Sequence, residues 1–404
     1  MHILLIHQAF VTTGEAGGTR HAELARRLVS HGHRVTVITS PQSYLTGETK
    51  ADLQNEVSEP EQGLTIRYAY TSQGYHRGFF SRLNAFFSFM FSSIREAGKV
   101  KDVDLVWGTS PNLFQALSAW LIAKRKGRKF LLEIRDLWPE FAIGMGVLKN
   151  KVLIRASLWL EKFLYKRADQ IIVNSPGFIP HIQKICGKTA VLIPNAADPK
   201  MFESTDHGET LRRQWQLEDQ FVVMYTGAHG PANDLQTVLA AAEQLKEDRR
   251  IRFVLVGSGK EKDSLIAQAQ QKQLENVMFI LPVAKSGMAD VIAASDAGLA
   301  ILKAIPAFKT TYPNKVFDFM AAGKAVICQI DGVIREVVEK YDAGIFVPPG
   351  DAGALARAVT ELANDSERCR RMGENGLLAI QQDFSREKTA GAFEALLEQM
   401  IHKK

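Results

Sequence analysis

His2-Ile3-Leu4-Leu5-Ile6, a loop holding Gly14, Gly17 and Gly18, the helical spacing Ala22, Leu24, Ala25, Leu28, and then Arg34-Val35-Thr36-Val37-Ile38-Thr39 together decide the fold. Two unbroken apolar and β-branched runs are strands buried on both faces, and a helix between them makes the strands parallel. The order recurs. Asp104-Leu105-Val106-Trp107 precedes a helical pattern from Leu113 to Lys124, and Phe130 to Ile134 runs into Asp136-Leu137-Trp138-Pro139. Gln170 to Val173 and Ala190 to Ile193 read as further strands. Periodicity stops at Pro194-Asn195-Ala196-Ala197-Asp198-Pro199, and polar residues continue to Gly208, which marks a linker. The pattern then starts afresh with Phe221 to Tyr225, a loop from Gly227 to Gly230, a helix from Leu235 to Leu245, and Phe253 to Val256 ending in Gly257-Ser258-Gly259. Strands at Val277 to Ile280, Ala297 to Leu302, Ala325 to Cys328 and Gly344 to Val347 alternate with helices at Lys260 to Gln271, Asn314 to Ala322 and Ala352 to Asn364. The chain is α/β, with two doubly wound, Rossmann-like halves, and open sheets of this kind bind ligands beyond the carboxyl ends of their strands. Its 404 residues suit two domains.

A hydrophobic share of 46% with 23% charged residues describes a globular protein and excludes a mainly disordered or collagen-like chain. Fifty Lys plus Arg against 44 Asp plus Glu leave +6, a mild excess that by itself suits anionic substrates, membrane surfaces or nucleic acid. Cys186, Cys328 and Cys369 are isolated, so neither a disulfide framework nor a Cys-x-x-Cys metal site is available, and a reducing, cytoplasmic compartment is expected. Met1 to Ala9 reads as a first strand and not as a signal. The greasiest stretch, Leu83 to Met90, is far short of the ~20 apolar residues that a membrane span needs.

Gly17-Gly18 lies between the first strand and first helix, where glycine lets backbone approach a phosphate and the helix amino terminus favours an anion; a tight turn alone explains the same residues. The spacing is not Gly-x-Gly-x-x-Gly, and Thr39 follows the second strand where a ribose-binding acid is usual, so nicotinamide binding is disfavoured. Gly257-Ser258-Gly259-Lys260 is too short for a Walker loop and reads as a turn passing close to a ligand base. The densest constellation is Phe308-Lys309-Thr310-Thr311-Tyr312-Pro313-Asn314-Lys315-Val316-Phe317-Asp318. Pro313 suits a helix start with Thr311 as its cap, so Lys309 and Lys315 flank the positive end of a helix dipole and form a diphosphate cradle, with Asp318 one turn on for a ribose diol. A surface helix with a Lys315 to Asp318 pair is the alternative. Asp136 emerges as a strand ends, where α/β enzymes expose working groups; capping a turn or pairing with Arg135 is the other reading.

These residues carry a resemblance. The pieces are Gly17-Gly18-Thr19-Arg20-His21, Gly32 to Thr39, Arg135-Asp136-Leu137-Trp138-Pro139-Glu140, Ile193 to Asp198, Tyr225-Thr226-Gly227, Leu255 to Gly259, Ala294 to Leu299 and Pro313 to Lys324. In this order they resemble the family-4 retaining glycosyltransferases of the GT-B fold, and among them the bacterial N-acetyl-L-fucosamine-type transferases of surface polysaccharide assembly. The resemblance implies an acceptor domain at 1–200, joined by a C-terminal helix at about 385–404, and a donor domain at 208–384. It places Gly17 and Gly18 against the donor diphosphate or acceptor, Asp136 with Arg135 and Lys309 at the chemistry, and Gly227, His229, Gly257, Val283, Asn314 and Lys315 around the nucleotide sugar. Asp318 takes the place of the second glutamate of the family's Glu, seven residues, Glu element, and Thr310 stands where the first belongs. Ala228-His229-Gly230-Pro231 replaces the usual basic residues after the Tyr225-Thr226-Gly227 turn, so diphosphate neutralisation falls to Lys309 and Lys315.

Phe79, Leu83, Phe86, Phe87, Met90 and Ile94 recur at helical spacing, Phe80, Phe89 and Phe91 widen the stripe, and Arg77, Arg82 and Arg95 bracket it. Lys149 to Arg167 holds six basic residues against Glu161, with Trp159 among leucines. Such helices suit an anionic leaflet, while packing on the first domain's sheet explains part of each. Arg20, Arg82, Phe86, Phe87, Phe91 and Trp159 are the expected acceptor and membrane residues. The expected activity is transfer from a nucleotide-diphosphate sugar, a UDP-sugar, to a polyprenyl-diphosphate-linked saccharide, at the cytoplasmic face of the membrane, with no metal or other cofactor and no nucleic-acid partner. A nucleotide-sugar epimerase on the same fold and a catalytically silent nucleotide-sugar-binding partner are the alternatives.

Overall fold

Residues 1–12, 14–43, 49, 56–58, 63–73 and 79–402 are described in the computed structural model. Contacts divide the chain into two units, one of Met1–Thr12, Gly18–Pro194 and Ala390–Lys404, the other of Thr13–Gly17 and Asn195–Thr389.

In the first unit, β1 (His2–Ile6), α1 (Arg20–Ser30) and β2 (Arg34–Thr39) form the βαβ opening, with His2 opposite Arg34 and Ile6 opposite Ile38. There follow β3 (Glu56–Ser58), β4 (Leu64–Tyr68), α2 (Phe79–Gly98), β5 (Leu105–Thr109), α3 (Leu113–Lys126), β6 (Lys129–Ile134), α4 (Glu140–Gly144), α5 (Lys151–Arg167), β7 (Gln170–Val173), α6 (Ile179–Cys186) and β8 (Val191–Leu192). The sheet order is β3-β4-β2-β1-β5-β6-β7-β8, parallel except for β3 against β4. The sequence reading omits β3 and β4: β3 is only three residues long, and β4 alternates buried Leu64 and Ile66 with half-buried residues, so neither shows a continuous apolar run. Asn112 and Asn150 begin α3 and α5 by accepting two backbone N–H bonds each.

The second unit runs α7 (Glu209–Gln214), β9 (Phe221–Thr226), α8 (Leu235–Gln244), β10 (Ile251–Val256), α9 (Lys262–Gln271), β11 (Val277–Ile280), α10 (Met288–Ala293), β12 (Ala297–Ile301), α11 (Asn314–Ala321), β13 (Ala325–Gln329), α12 (Val333–Lys340), β14 (Gly344–Phe346), α13 (Ala352–Asn364) and α14 (Ser366–Asp383). Its parallel sheet is ordered β11-β10-β9-β12-β13-β14. Alternate residues of β9 enter opposite cores, Val223 and Tyr225 one, Val222 and Met224 the other. The last helix, α15 (Arg386–His402), sets Ala390, Phe393, Leu397 and Met400 into the core of the first unit, where Phe393 meets Trp107 at 4.7 Å.

Chain direction outward from the centre reverses between β1 and β5 in the first sheet and between β9 and β12 in the second, so each unit has its switch point there.

Beneath the first switch point lies a buried ion network. The Glu133 carboxylate of β6, fully buried, accepts from Arg20 Nε (2.9 Å), His21 Nε2 (2.8 Å) and Trp107 Nε1 (3.1 Å). Arg20 also donates to the carbonyls of Pro194 (2.7 Å) and Ile193 (2.6 Å). Burial alone favours a neutral Glu133, but His21 and Arg20 hold it ionised and well below the usual carboxylate range. Burial makes His21 neutral, lowering it to about 4, so it serves as an N–H donor. Removing one partner strands the other charge in the interior. Glu133→Ala and Arg20→Ala are each expected to cost about 3–5 kcal/mol in urea unfolding; a loss under about 0.5 kcal/mol, the size of an ordinary surface change, refutes the role given to this network.

Candidate functional site

In the second unit two glycine turns stack on one another. Gly227 follows β9 and Gly257 follows β10; Gly227 N–H donates to Val256 O (3.0 Å) and His229 N–H to Ser258 O (2.9 Å). Gly257 has φ +146°, and a Cβ there would lie 1.9 Å from the carbonyl oxygen of Gly227, so only glycine fits. The absent side chain thus leaves room for the other turn to pack against this one. Lys262 Nζ ties the second turn to the end of β11 by donating to Gly257 O (2.7 Å) and Ile280 O (2.8 Å). His229 is fully buried and neither ring nitrogen has a hydrogen-bond partner among the described residues. Burial, reinforced by Lys262 and Lys315, lowers its pKa to about 4, so at neutral pH it supplies no positive charge.

Lys315 supplies one. It stands in the first turn of α11 with Pro313 at the cap position; Thr311, the expected cap, instead donates its hydroxyl to Phe308 O (2.8 Å). Lys315 Nζ lies 3.8 Å over the Tyr225 ring, 3.4 Å from Asn233 Oδ1, and as close to where a Cβ on Gly227 would be. Burial brings its pKa down to about 7. Asn314 Oδ1 beside it is buried without a hydrogen-bond partner among the described residues. Gly227, His229, Gly257, Asn314 and Lys315 thus gather at the β9 side of the switch point, with donors suited to an anion.

Lys309 and Asp318 have other engagements. Lys309 Nζ pairs with Asp331 (2.7 Å) and is 58% exposed, beside a cavity of about 190 Å³ lined also by Lys303, Phe308 and Ile330. Asp318 pairs with Lys285 (2.8 Å) and not with Lys315; Lys285 also lies 4.6 Å over the Phe202 ring. Val283 packs partly buried against the core under β10 and α11. Lys262, Lys285 and Asp331 were not singled out in sequence, since isolated charges in loops and helix starts carry no pattern.

In the first unit, Arg135 and Asp136 follow β6. The Ser110 hydroxyl accepts from the N–H groups of Arg135 (2.8 Å) and Asp136 (3.4 Å), and Arg135 Nη1 donates to His7 Nε2 (2.9 Å). Burial, with the neighbouring Arg135 guanidinium, keeps His7 neutral and able to accept. The Asp136 carboxylate makes no hydrogen bond among the described residues, and burial raises its pKa to about 6 against the pull of Arg135. Gly17 and Gly18 are exposed in the loop after β1, Gly17 at φ +141°. Arg20, expected at an acceptor surface, is 3% exposed and committed to Glu133. An Asp-x-Asp triplet, Asp102-Val103-Asp104, precedes β5, where Asp104 accepts from the His2 N–H (2.8 Å) and so joins strands at the edge away from Asp136.

The aromatic stripe of α2 divides. Ala85, Phe89, Met90, Ser93 and Ala97 are buried, Phe86 is half-buried, and Phe87 and Phe91 are exposed, with Arg82 and Arg95. The single wide stripe read from helical spacing is therefore split: Phe89 and Met90 lie in the core, while Phe87 and Phe91, expected at a surface, are exposed. Phe87 meets Phe114 of α3 at 4.6 Å, and Trp120 of α3 meets Phe163 of α5 at 4.8 Å, which stacks on Trp159 at 5.5 Å. Trp159 and Phe91 are each 66% exposed. Arg77 lies outside the described residues, as do the side chains of Phe79 and Phe80.

Because its folded pKa is raised, Asp136 favours the folded state only below its unfolded value near 3.8, and that contribution is lost as pH rises through about 6. Asp136→Asn is accordingly expected to melt above wild type at pH about 8 and level with it near pH 4. Thermal melts across that range decide it; equal melting at both ends means the carboxyl is solvated.

Residues 16–196 match the family described as "Glycosyl transferase 4-like domain", and residues 208–378 match "Glycosyl transferases group 1". The Escherichia coli K12 protein WcaI, whose name assigns it to colanic acid biosynthesis as a glycosyl transferase, is 25% identical over 85% of this chain and 88% of its own. Sucrose-phosphate synthase from Thermosynechococcus elongatus has the same fold at TM-score 0.81, with 20% identity and all of both chains covered. Anabaena HepE, solved with UDP and glucose, superposes at TM-score 0.76 with 19% identity over 99% of this chain and all of its own. With two such domains end to end, the chain belongs to the family-4 glycosyltransferases of the GT-B fold.

Proposed function

We propose that this transferase moves a sugar of the hexosyl or N-acetylhexosaminyl class from UDP to a lipid-linked saccharide, with retention at the anomeric carbon, during cell-surface polysaccharide assembly. The observation that carries the reading is Lys315, an ammonium on the Tyr225 ring at a helix start, at the switch point where α/β sheets receive ligands. The UDP bound by HepE and the polysaccharide named for WcaI support the donor and the setting. In this reading the bond from the anomeric carbon to the diphosphate oxygen breaks while an acceptor hydroxyl bonds to that carbon and gives its proton to the departing diphosphate. Lys315 and the first N–H groups of α11 stabilise the growing charge, and the transfer uses no metal. Asp318, released from Lys285, accepts the ribose hydroxyls, and Arg135 with Asp136 orients the acceptor.

The acceptor side carries the membrane reading. Phe87 and Phe91 on α2 and Val152, Leu153, Leu158 and Trp159 on α5 expose apolar surface on helices that both pack on α3, and Arg82, Lys149, Lys151, Arg155 and Lys162 are exposed around them. Aromatic tips with a basic rim suit an anionic leaflet, and this side is proposed to rest on the inner face of the cell membrane.

Two tests follow. A UDP-sugar should bind the protonated Lys315, whose free pKa is about 7, so affinity stays level below that pH and falls by up to about tenfold per unit above it, with proton uptake seen calorimetrically in buffers of different ionisation heat. Lys315→Gln should flatten the profile and lower turnover by about 10²-fold, with retention measured in the intact glycoside made by the wild type. A level wild-type profile removes Lys315 from the diphosphate, and a free epimerised sugar as sole product removes the transfer.

For the membrane, Phe91→Ser with Trp159→Ser should abolish binding to anionic liposomes and leave melting nearly unchanged, whereas Phe89→Ser should cost about 3–5 kcal/mol. Wild-type protein that ignores such liposomes overturns the membrane reading alone.

A further inference from the structure

Far from Arg135 and Asp136 along the strands, at the amino-terminal edge of the first sheet, the turn between α1 and β2 meets α15. His31 Nδ1 lies 2.6 Å from one oxygen of Glu394 and His33 Nε2 lies 2.9 Å from the other. Gly32 between them, at φ +82°, turns the backbone so that both imidazoles reach the same carboxylate. Glu398, one turn further along α15, completes a set in which His33, Glu394 and Glu398 each offer a ligand atom within 4.8 Å of the others. These residues are about 360 positions apart in sequence, so neither His31-Gly32-His33 nor the Glu394, Glu398 spacing signals the cluster by itself.

We propose that His31, His33, Glu394 and Glu398 bind one zinc ion that staples α15 to the first unit. Two imidazoles with two carboxylates form a donor set that zinc takes tetrahedrally, and Mg²⁺ or Ca²⁺, which want oxygen alone, do not. Bonds of about 2.0–2.1 Å place tetrahedral ligand atoms about 3.3 Å apart. The two histidine nitrogens lie 2.6 and 2.9 Å from different Glu394 oxygens, hydrogen-bond contacts that the metal would replace, and the Glu398 carboxylate lies within 4.8 Å of the His33 and Glu394 ligand atoms. His31 is 37% exposed and Glu398 is exposed, so an ion from solution has access, while the 12% and 15% exposures of His33 and Glu394 hold the other ligands in place. The same helix buries Ala390, Phe393, Leu397 and Met400, and the metal adds a polar clamp beside that apolar seam. The site serves the fold and not the transfer.

The test uses the full chain, free of any histidine tag and stripped with a chelator, titrated with zinc chloride in a calorimeter and melted with zinc or magnesium. One zinc per chain and a melting rise of several degrees with zinc alone are expected, because a ligand of the folded state stabilises it by mass action. Glu398→Gln, an exposed change that leaves both histidine hydrogen bonds in place, should weaken zinc binding by about tenfold or more, and Glu394→Gln should abolish it while circular dichroism stays native. No zinc binding by the wild type, an equal rise with magnesium, or unchanged zinc affinity in the two variants overturns the proposal.

Discussion

The Glu133 carboxylate is the constraint on which the first unit depends. It sits in β6 with no exposure, and a lone ionised carboxylate there would cost several kcal/mol. Three donors from two elements settle that debt at once: Arg20 and His21 from the start of α1, and Trp107 from β5. Arg20 then carries the tie on to the carbonyls of Ile193 and Pro194, where the first unit ends. The network also sets the chemistry above it. His21 stacks tilted on His7 at 4.3 Å, and the neutral His7 accepts from Arg135, so the orientation of the Arg135-Asp136 corner rests on the ions below.

The second unit solves its equivalent problem with backbone in place of ions. Its two glycine turns lie so close that the Gly227 carbonyl occupies the space a Gly257 side chain would need. What remains at that edge is a neutral histidine, an amide oxygen without a partner and a lysine whose charge is balanced near neutrality. A lysine on an aromatic face, half relieved of its proton, has most to gain from an arriving diphosphate, since the ligand restores the charged form. Lys309 and Lys285 already have carboxylate partners, so binding that engages them must first break a pair.

Much of this was legible in sequence. Apolar runs with glycine turns between them imply two parallel sheets, because a strand buried on both faces has no polar side to show. The helix after Pro313 and the Asp136 corner follow from local rules, proline at a helix start and polar residues at a strand end. The short edge strand β3 and its neighbour β4 escaped, and period 3.6 alone does not say which of the six closely spaced phenylalanines of α2 face inward.

Charge partnership is what tertiary structure alone decided. Arg20 looked like a free basic residue in a glycine-rich loop and proved to be the deepest cation of the first unit; Lys309 and Lys315 looked equivalent, and only Lys315 lies on a ring with no carboxylate against it among the described residues. Local propensity depends on neighbours within a few residues, so the sequence by itself determined the central strands, the longer helices between them, the two parallel sheets and the family. The energy of a buried charge depends on groups within ~4–6 Å in space, and those come from 100 or more positions away, as Glu133 does for Arg20.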